Sequence, residues 1–167
     1  MDPSTQYSKD QSPLTPNQVA KMNRVPYSKA IGSILWLAVI SRPDITYAVG
    51  ILLQFIQNPG PVHWEGVKRI ISYLNTMKNY SLTFGGITKK LIKGFCDADW
   101  ASHKDQHSIS RYTFYLGCGT IMWSSKKQHI ITLLSTESEY IAQTHAQRKC
   151  CGSEASSSRS EVSNWGP

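Results

Sequence analysis

The chain has 167 residues, 40% of them hydrophobic, and sets 18 Lys plus Arg against 11 Asp plus Glu for a formal net charge of +7. That length fits one ordinary domain, or a small domain with an extension. The longest apolar run, residues 34–40, is too short to span a bilayer, which excludes a membrane-spanning class.

The N-terminus, Met-Asp-Pro-Ser-Thr-Gln, lacks a basic-then-apolar signal pattern. Cys96, Cys118, Cys150 and Cys151 show no paired metal spacing and read as reduced thiols, so an intracellular protein, in cytoplasm or nucleus, is expected. The charge favours an anionic partner, nucleic acid being the commonest; a basic domain without such a partner is the alternative.

Residues 1–25 are polar, carry Pro3, Pro13 and Pro16, and predict a linker. From Tyr27 the spacing of Ile31, Ile34, Leu35 and Ala38 predicts a largely buried helix. Ser41-Arg42-Pro43-Asp44 ends it, with Pro43 suited to the first turn of a second helix over about residues 45–57. Val49, Leu52, Leu53 and Ile56 face inward there. Asn58-Pro59-Gly60-Pro61 predicts a turn. A third helix over about residues 62–77 places Val67, Ile70, Ile71 and Leu74 on one face and shows Lys68 and Arg69 on the other.

Short strands follow. One begins at Leu82 and Phe84 and stops at Gly85-Gly86. The next covers residues 91–97, and two more cover 112–116 and 120–123. A helix over about residues 136–148 closes the patterned part. Residues 149–167 are serine-rich and aperiodic, which predicts a disordered tail. The expected division is a linker (1–25), a helical region (26–85), a sheet-plus-helix region (86–148) and the tail (149–167).

Asp97 and Asp99 alternate on a strand and could face one side. Two readings stand: a metal-binding pair, or Asp in a solvated turn. Glu139 shares a stripe with the small residues Ala142 and Ala146 and reads as inward, whereas Glu137 reads as solvated. Thr136-x-x-Glu139 is also a capping-box pattern, which offers Glu139 a purely structural role. His103 and His107 have i, i+4 spacing in a polar loop without a third ligand, and read as surface residues. Lys68, Arg69, Lys89, Lys90, Lys93, Lys126 and Lys127 could contact a phosphate backbone or form a solvated basic face.

Several ordered motifs carry a resemblance over roughly residues 8–146. They are Val25-Pro26-Tyr27-Ser28-Lys29-Ala30-Ile31-Gly32-Ser33, Ser41-Arg42-Pro43-Asp44-Ile45-Thr46-Tyr47-Ala48-Val49, Asn58-Pro59-Gly60 and His63-Trp64-Glu65-Gly66-Val67-Lys68-Arg69-Ile70. Cys96-Asp97-Ala98-Asp99-Trp100-Ala101, Trp123-Ser124-Ser125-Lys126-Lys127-Gln128 and Ser135-Thr136-Glu137-Ser138-Glu139-Tyr140-Ile141-Ala142 complete the set. Together they resemble the copia-type (Pseudoviridae) retrotransposon Pol polyproteins, at the reverse transcriptase connection region and the start of the RNase H domain.

The resemblance implies an α+β fold: a helical lead-in, then a partial RNase H-like fold of antiparallel sheet plus one helix. It implies Asp97 and Glu139 as catalytic, metal-binding residues and Asp99 as a weaker third. The implied cofactor is Mg²⁺, and the implied partner is an RNA–DNA hybrid or other nucleic acid, bound non-specifically. Arg111 and Ser102 stand where the family usually has Gly. The third catalytic Asp is absent, so an inactive remnant is expected, with an exposed sheet edge that favours self-association. Residues 147–157 can be encoded by codons that, shifted by one base, read as the continuation of the family's helix, so a frameshifted tail is expected.

Overall fold

The computed structural model describes residues 7–85, 92–100 and 106–162, with side chains described as far as Cys150. The described secondary structure is mixed, helices first and an antiparallel sheet after, which is the α+β class the sequence implies. The chain forms two compact units, Met1–Leu82 and Thr83–Pro167.

The first unit is helical. Helix α1 (Pro16–Asn23) lies inside the expected linker: Pro16 occupies its first turn, where a missing N–H costs nothing, and Met22 is buried. Helices α2 (Tyr27–Ile40), α3 (Thr46–Leu53) and α4 (Pro61–Thr76) follow the apolar periodicity. Their inward residues Tyr27, Ile31, Ile34, Ala38, Val49, Leu52, Val67 and Ile70, with Ile45, form one core. Each large side chain buried there contributes roughly 1.5–3 kcal/mol. Ile56 and Ile71 were expected inward but are exposed. Helix α3 ends at Leu53, before Ile56, and Ile71 adjoins rather than joins the buried Val67–Ile70 stripe.

Polar bonds fix the turns of this unit. The Tyr27 hydroxyl donates to the Leu52 carbonyl at 2.7 Å, tying α2 to α3. Arg42 donates to both Asp44 carboxylate oxygens and, through Nη1, to the Met77 carbonyl at 3.0 Å, while the Tyr73 hydroxyl donates to Asp44 at 2.9 Å. The hydrogen-bonded guanidinium of Arg42 holds the Asp44 carboxyl below the usual carboxylate range.

The second unit is a three-stranded antiparallel sheet of order β1-β2-β3, formed by β1 (Ile92–Asp99), β2 (Ile109–Leu116) and β3 (Gly119–Lys127), with helix α5 (Ser135–Val162) against β1 and β2. Gly117, at φ +64°, begins the two-residue turn between β2 and β3, the glycine position of a type II′ hairpin. Among the described residues β1 pairs only with β2, so β1 is an edge strand.

Three expectations change here. No strand forms at Leu82–Phe84; instead Thr83 and Phe84 lie so close over Gly119 that a Cβ there would sit 2.6 Å from the Phe84 ring. The tail does not begin at residue 149 as irregular chain, because α5 continues to Val162. Composition alone registers the serines but not the interspersed Ala, Glu, Lys and Arg, which support helix. Finally, alternation along the strands predicts one apolar face of Phe95, Phe114 and Ile121, but Phe95 and Phe114 lie on opposite faces. The register pairs Gly94 with Phe114 and Phe95 with Thr113, and a one-residue offset sends alternate side chains to opposite sides.

Candidate functional site

The carboxylates of β1 meet a cation from β2. Asp97 and Arg111 are paired across the two strands, and Asp99 follows Asp97 on the same side of the pleat. Arg111 Nη2 donates to Asp99 Oδ2 at 2.7 Å, and its Nη1 lies 3.7 Å from Asp97 Oδ2. The Asp97 side chain is 63% exposed and that of Asp99 35%. Water screens such pairs, and each is worth about 0–1 kcal/mol. The arrangement nonetheless places one guanidinium across both carboxylates.

Helix α5 lies on the other face. Ser110, next to Arg111, points the opposite way by alternation. Its hydroxyl accepts from Gln128 Nε2 at 2.9 Å, and the same Nε2 donates to the Ser138 carbonyl of α5 at 2.9 Å. The Gln128 backbone N–H donates to the Ser108 carbonyl at 2.8 Å. Ser108 and Thr132 hydroxyls meet at 3.2 Å, and Trp100 Nε1 donates to the Thr132 carbonyl at 3.3 Å. Ser108, Ser110, Gln128, Thr132 and Ser138 are all buried, and together they fasten the start of α5 to the end of the sheet. The sequence gives little sign of this cluster, since isolated polar residues ordinarily read as solvated.

The inward stripe of α5 is Ser138, Ala142 and Ala146. Glu139, expected inward with the two alanines, is exposed beside that stripe. Glu137 is exposed, as expected, and it rather than Glu139 bonds back to the chain before the helix. Glu137 accepts from the Leu133 backbone N–H at 3.1 Å, which ties the approach to the helix onto its first turn, and the Ser138 hydroxyl donates to the Ser135 carbonyl at 2.6 Å. Asp97 and Asp99 are therefore brought together with Arg111, and Glu139 sits on the helix that covers the opposite face.

Among the described residues no three His, Cys, Asp or Glu side chains form a group able to hold a metal ion. His107 is half-buried, whereas His103 lies outside the described residues, as do Ser102, Lys89 and Lys90. Of the other basic residues, Lys68 and Arg69 are exposed on α4, with Lys68 in an i, i+3 ion pair with Glu65. Lys93 is exposed on β1, and Lys126 and Lys127 close β3 on opposite faces. No described helix is long and apolar enough to cross a membrane.

The chain is 42% identical over 143 residues to the retrovirus-related Pol polyprotein from transposon TNT 1-94 of Nicotiana tabacum. Over 115 residues it is 41% identical to that from transposon RE1 of Arabidopsis thaliana. These alignments take in 85% and 68% of the chain. The chain belongs to the copia-type retrotransposon Pol family. It spans 11% and 8% of the length of those two polyproteins. It is also 42% identical over 129 residues to the secreted RxLR effector protein 161 of Plasmopara viticola, covering 77% of the chain and 91% of that protein. No family model matches the chain, and no solved structure matches it.

Proposed function

We propose that this copia-type Pol chain carries the connection helices and the leading part of an RNase H-like domain, and that it binds nucleic acid without cleaving it. The assignment rests on the strand that presents Asp97 and the helix that presents Glu139, in the order the family motifs require. The absence of cleavage rests on one observation: the Arg111 guanidinium lies across Asp97 and Asp99.

Mg²⁺ requires several oxygen ligands in near-octahedral array at about 2.0–2.1 Å. The residues present do not fit that demand. The Arg111 guanidinium lies against both carboxylates, and Glu139 is exposed on the helix of the other face. Binding rests instead on the basic balance of the chain and on exposed Lys68, Arg69, Lys93 and Lys126, which suit phosphate contacts without base readout.

The test is an RNA–DNA hybrid with a labelled RNA strand, incubated with the chain in Mg²⁺. The expected result is an intact RNA strand. Mg²⁺-dependent cleavage that disappears in Asp97→Asn would overturn the proposal.

A further inference from the structure

Helix α5 and the β2–β3 hairpin enclose a cleft of about 520 Å³ lined by Tyr112, Ser124, Lys126, His145, Arg148 and Lys149. Register and alternation explain why these residues meet. Tyr112 pairs with Ser124, and Lys126 pairs with Ser110, so all four share the face that Gln128 fastens to α5. Along α5, His145, Arg148 and Lys149 stand at i, i+3 and i+4 and form one stripe beside the buried Ala142 and Ala146. The two small alanines let the helix lie close to the sheet, and the longer basic side chains project past it over the hairpin.

The chemistry of the walls is one-sided. Lys126, Arg148 and Lys149 bring three positive charges, Tyr112 and Ser124 bring two hydroxyls, and no carboxylate is among the described lining residues. A ligand with several acceptor oxygens and negative charge satisfies such walls. Arg148 suits a bidentate grip on a tetrahedral oxyanion, and the lysines supply point charges.

We propose that this cleft binds phosphate oxyanions, in use those of a nucleic-acid strand. The natural ligand rests on the nucleic-acid reading above; the oxyanion site itself rests only on the cleft. The consequence is geometric. A strand seated there lies on the helix face of the sheet, away from the face that carries Asp97, Asp99 and Arg111. Binding and the carboxylates are then separate features of the unit, and occupancy of one does not deliver a strand to the other.

The test uses the full chain, a labelled ten-nucleotide oligothymidylate and inorganic phosphate. Arg148→Gln/Lys149→Gln is expected to weaken oligothymidylate binding at least fivefold at low salt. It also lowers the slope of log K against log salt by about 1.4, since each phosphate contact to a single strand is worth about 0.7. Lys29→Gln on α2 serves as a control for a general loss of positive charge and is expected to change neither by as much. Inorganic phosphate is expected to shift the His145 and Tyr112 ring resonances of the unmodified chain and not those of the double variant. If oligothymidylate binds and the double variant matches the unmodified chain in affinity and slope, the cleft is not the site and the proposal fails, though general binding survives. If the unmodified chain does not bind oligothymidylate at all, the nucleic-acid reading falls. The oxyanion site then stands if phosphate still moves the His145 and Tyr112 resonances, and falls if it does not.

Discussion

Lowering the pH from 7.5 to 5.5 is expected to destabilise the helical unit through His63. This residue, at the third position of α4, is buried and stacked on Phe55 with ring centroids 3.9 Å apart. The Gly60 backbone N–H donates to its Nδ1 at 2.8 Å. Nδ1 is thus an acceptor and carries no proton, so the proton resides on Nε2, 3.2 Å from the Ser8 carbonyl. Charging the ring would aim a second donor at the Gly60 N–H inside the core. Burial accordingly holds the His63 pKa below its ordinary value, against a smaller upward pull from the Ser8 carbonyl. In the unfolded chain the same imidazole titrates near 6.5. As the pH falls below that value the unfolded state takes up a proton that the folded state refuses. Stability is lost progressively from about pH 6.5 down to the folded pKa. At pH 5.5 the limit is RT ln 11, about 1.4 kcal/mol, reached when the folded pKa lies well below 5.5. With a urea dependence of about 1 kcal/mol per molar, the midpoint falls by on the order of 1 M. Asp44 does not interfere, because its depressed pKa costs stability only as the pH falls through the carboxylate range, below this window. Urea titrations followed through the methyl resonances of Ile31, Val49 and Val67 report this unit alone. His63→Gln is expected to be less stable at pH 7.5 and flat across the window. A midpoint that does not move with pH in the unmodified chain, or that moves equally in His63→Gln, would refute the reasoning.

Two predictions concern the sheet. Gly94→Ala places a Cβ 2.5 Å from one edge carbon of the Phe114 ring and 2.8 Å from the next. The buried ring must move, at a cost of about 1–3 kcal/mol, and amide protection across residues 92–99 and 109–116 should drop while that in α2 and α4 is unchanged; equal protection in the two proteins would show that the ring yields freely. Edge strand β1, with Phe95 65% exposed, should support concentration-dependent self-association, and Phe95→Lys should weaken it in sedimentation velocity; a monomer at every concentration in the unmodified chain would dispose of this account.

The helical unit was largely legible because its signals are local. The 3.6-residue recurrence of Ile31, Ile34 and Ala38, and of Val67 and Ile70, finds the buried faces with no knowledge of partners. Pro61, expected in the turn before the third helix, instead opens α4. His63 was not legible, since its role depends on Gly60, Phe55 and Ser8, and the last lies 55 positions away. The sheet unit shows the same limit more sharply. Strand positions follow from alternation, but which residues share a face depends on register, and register separated Phe95 from Phe114. Gln128, Ser110 and Ser138 look like surface polar residues until the fold brings their hydrogen-bonding groups together. Asp97 and Asp99 were recognisable as a pair. That their counter-charge is Arg111 depends on the pairing of β1 with β2.

That pairing bears on how the sheet divides its work. Arg111 and Ser110 are neighbours in sequence and point to opposite faces, so one strand supplies both arrangements. On one side Arg111 neutralises charge that would otherwise be presented to solvent by two carboxylates two residues apart. On the other, Ser110 anchors Gln128 and hence α5, which brings Arg148 and Lys149 over Tyr112 and Ser124. The first arrangement reduces the negative field of the unit, and the second concentrates positive field in a cleft. Both favour approach of a polyanion, and among the described residues no three carboxylate, His or Cys side chains gather into a group able to hold a metal ion. On the reading proposed above, a sheet built in this way is suited to hold a phosphate chain.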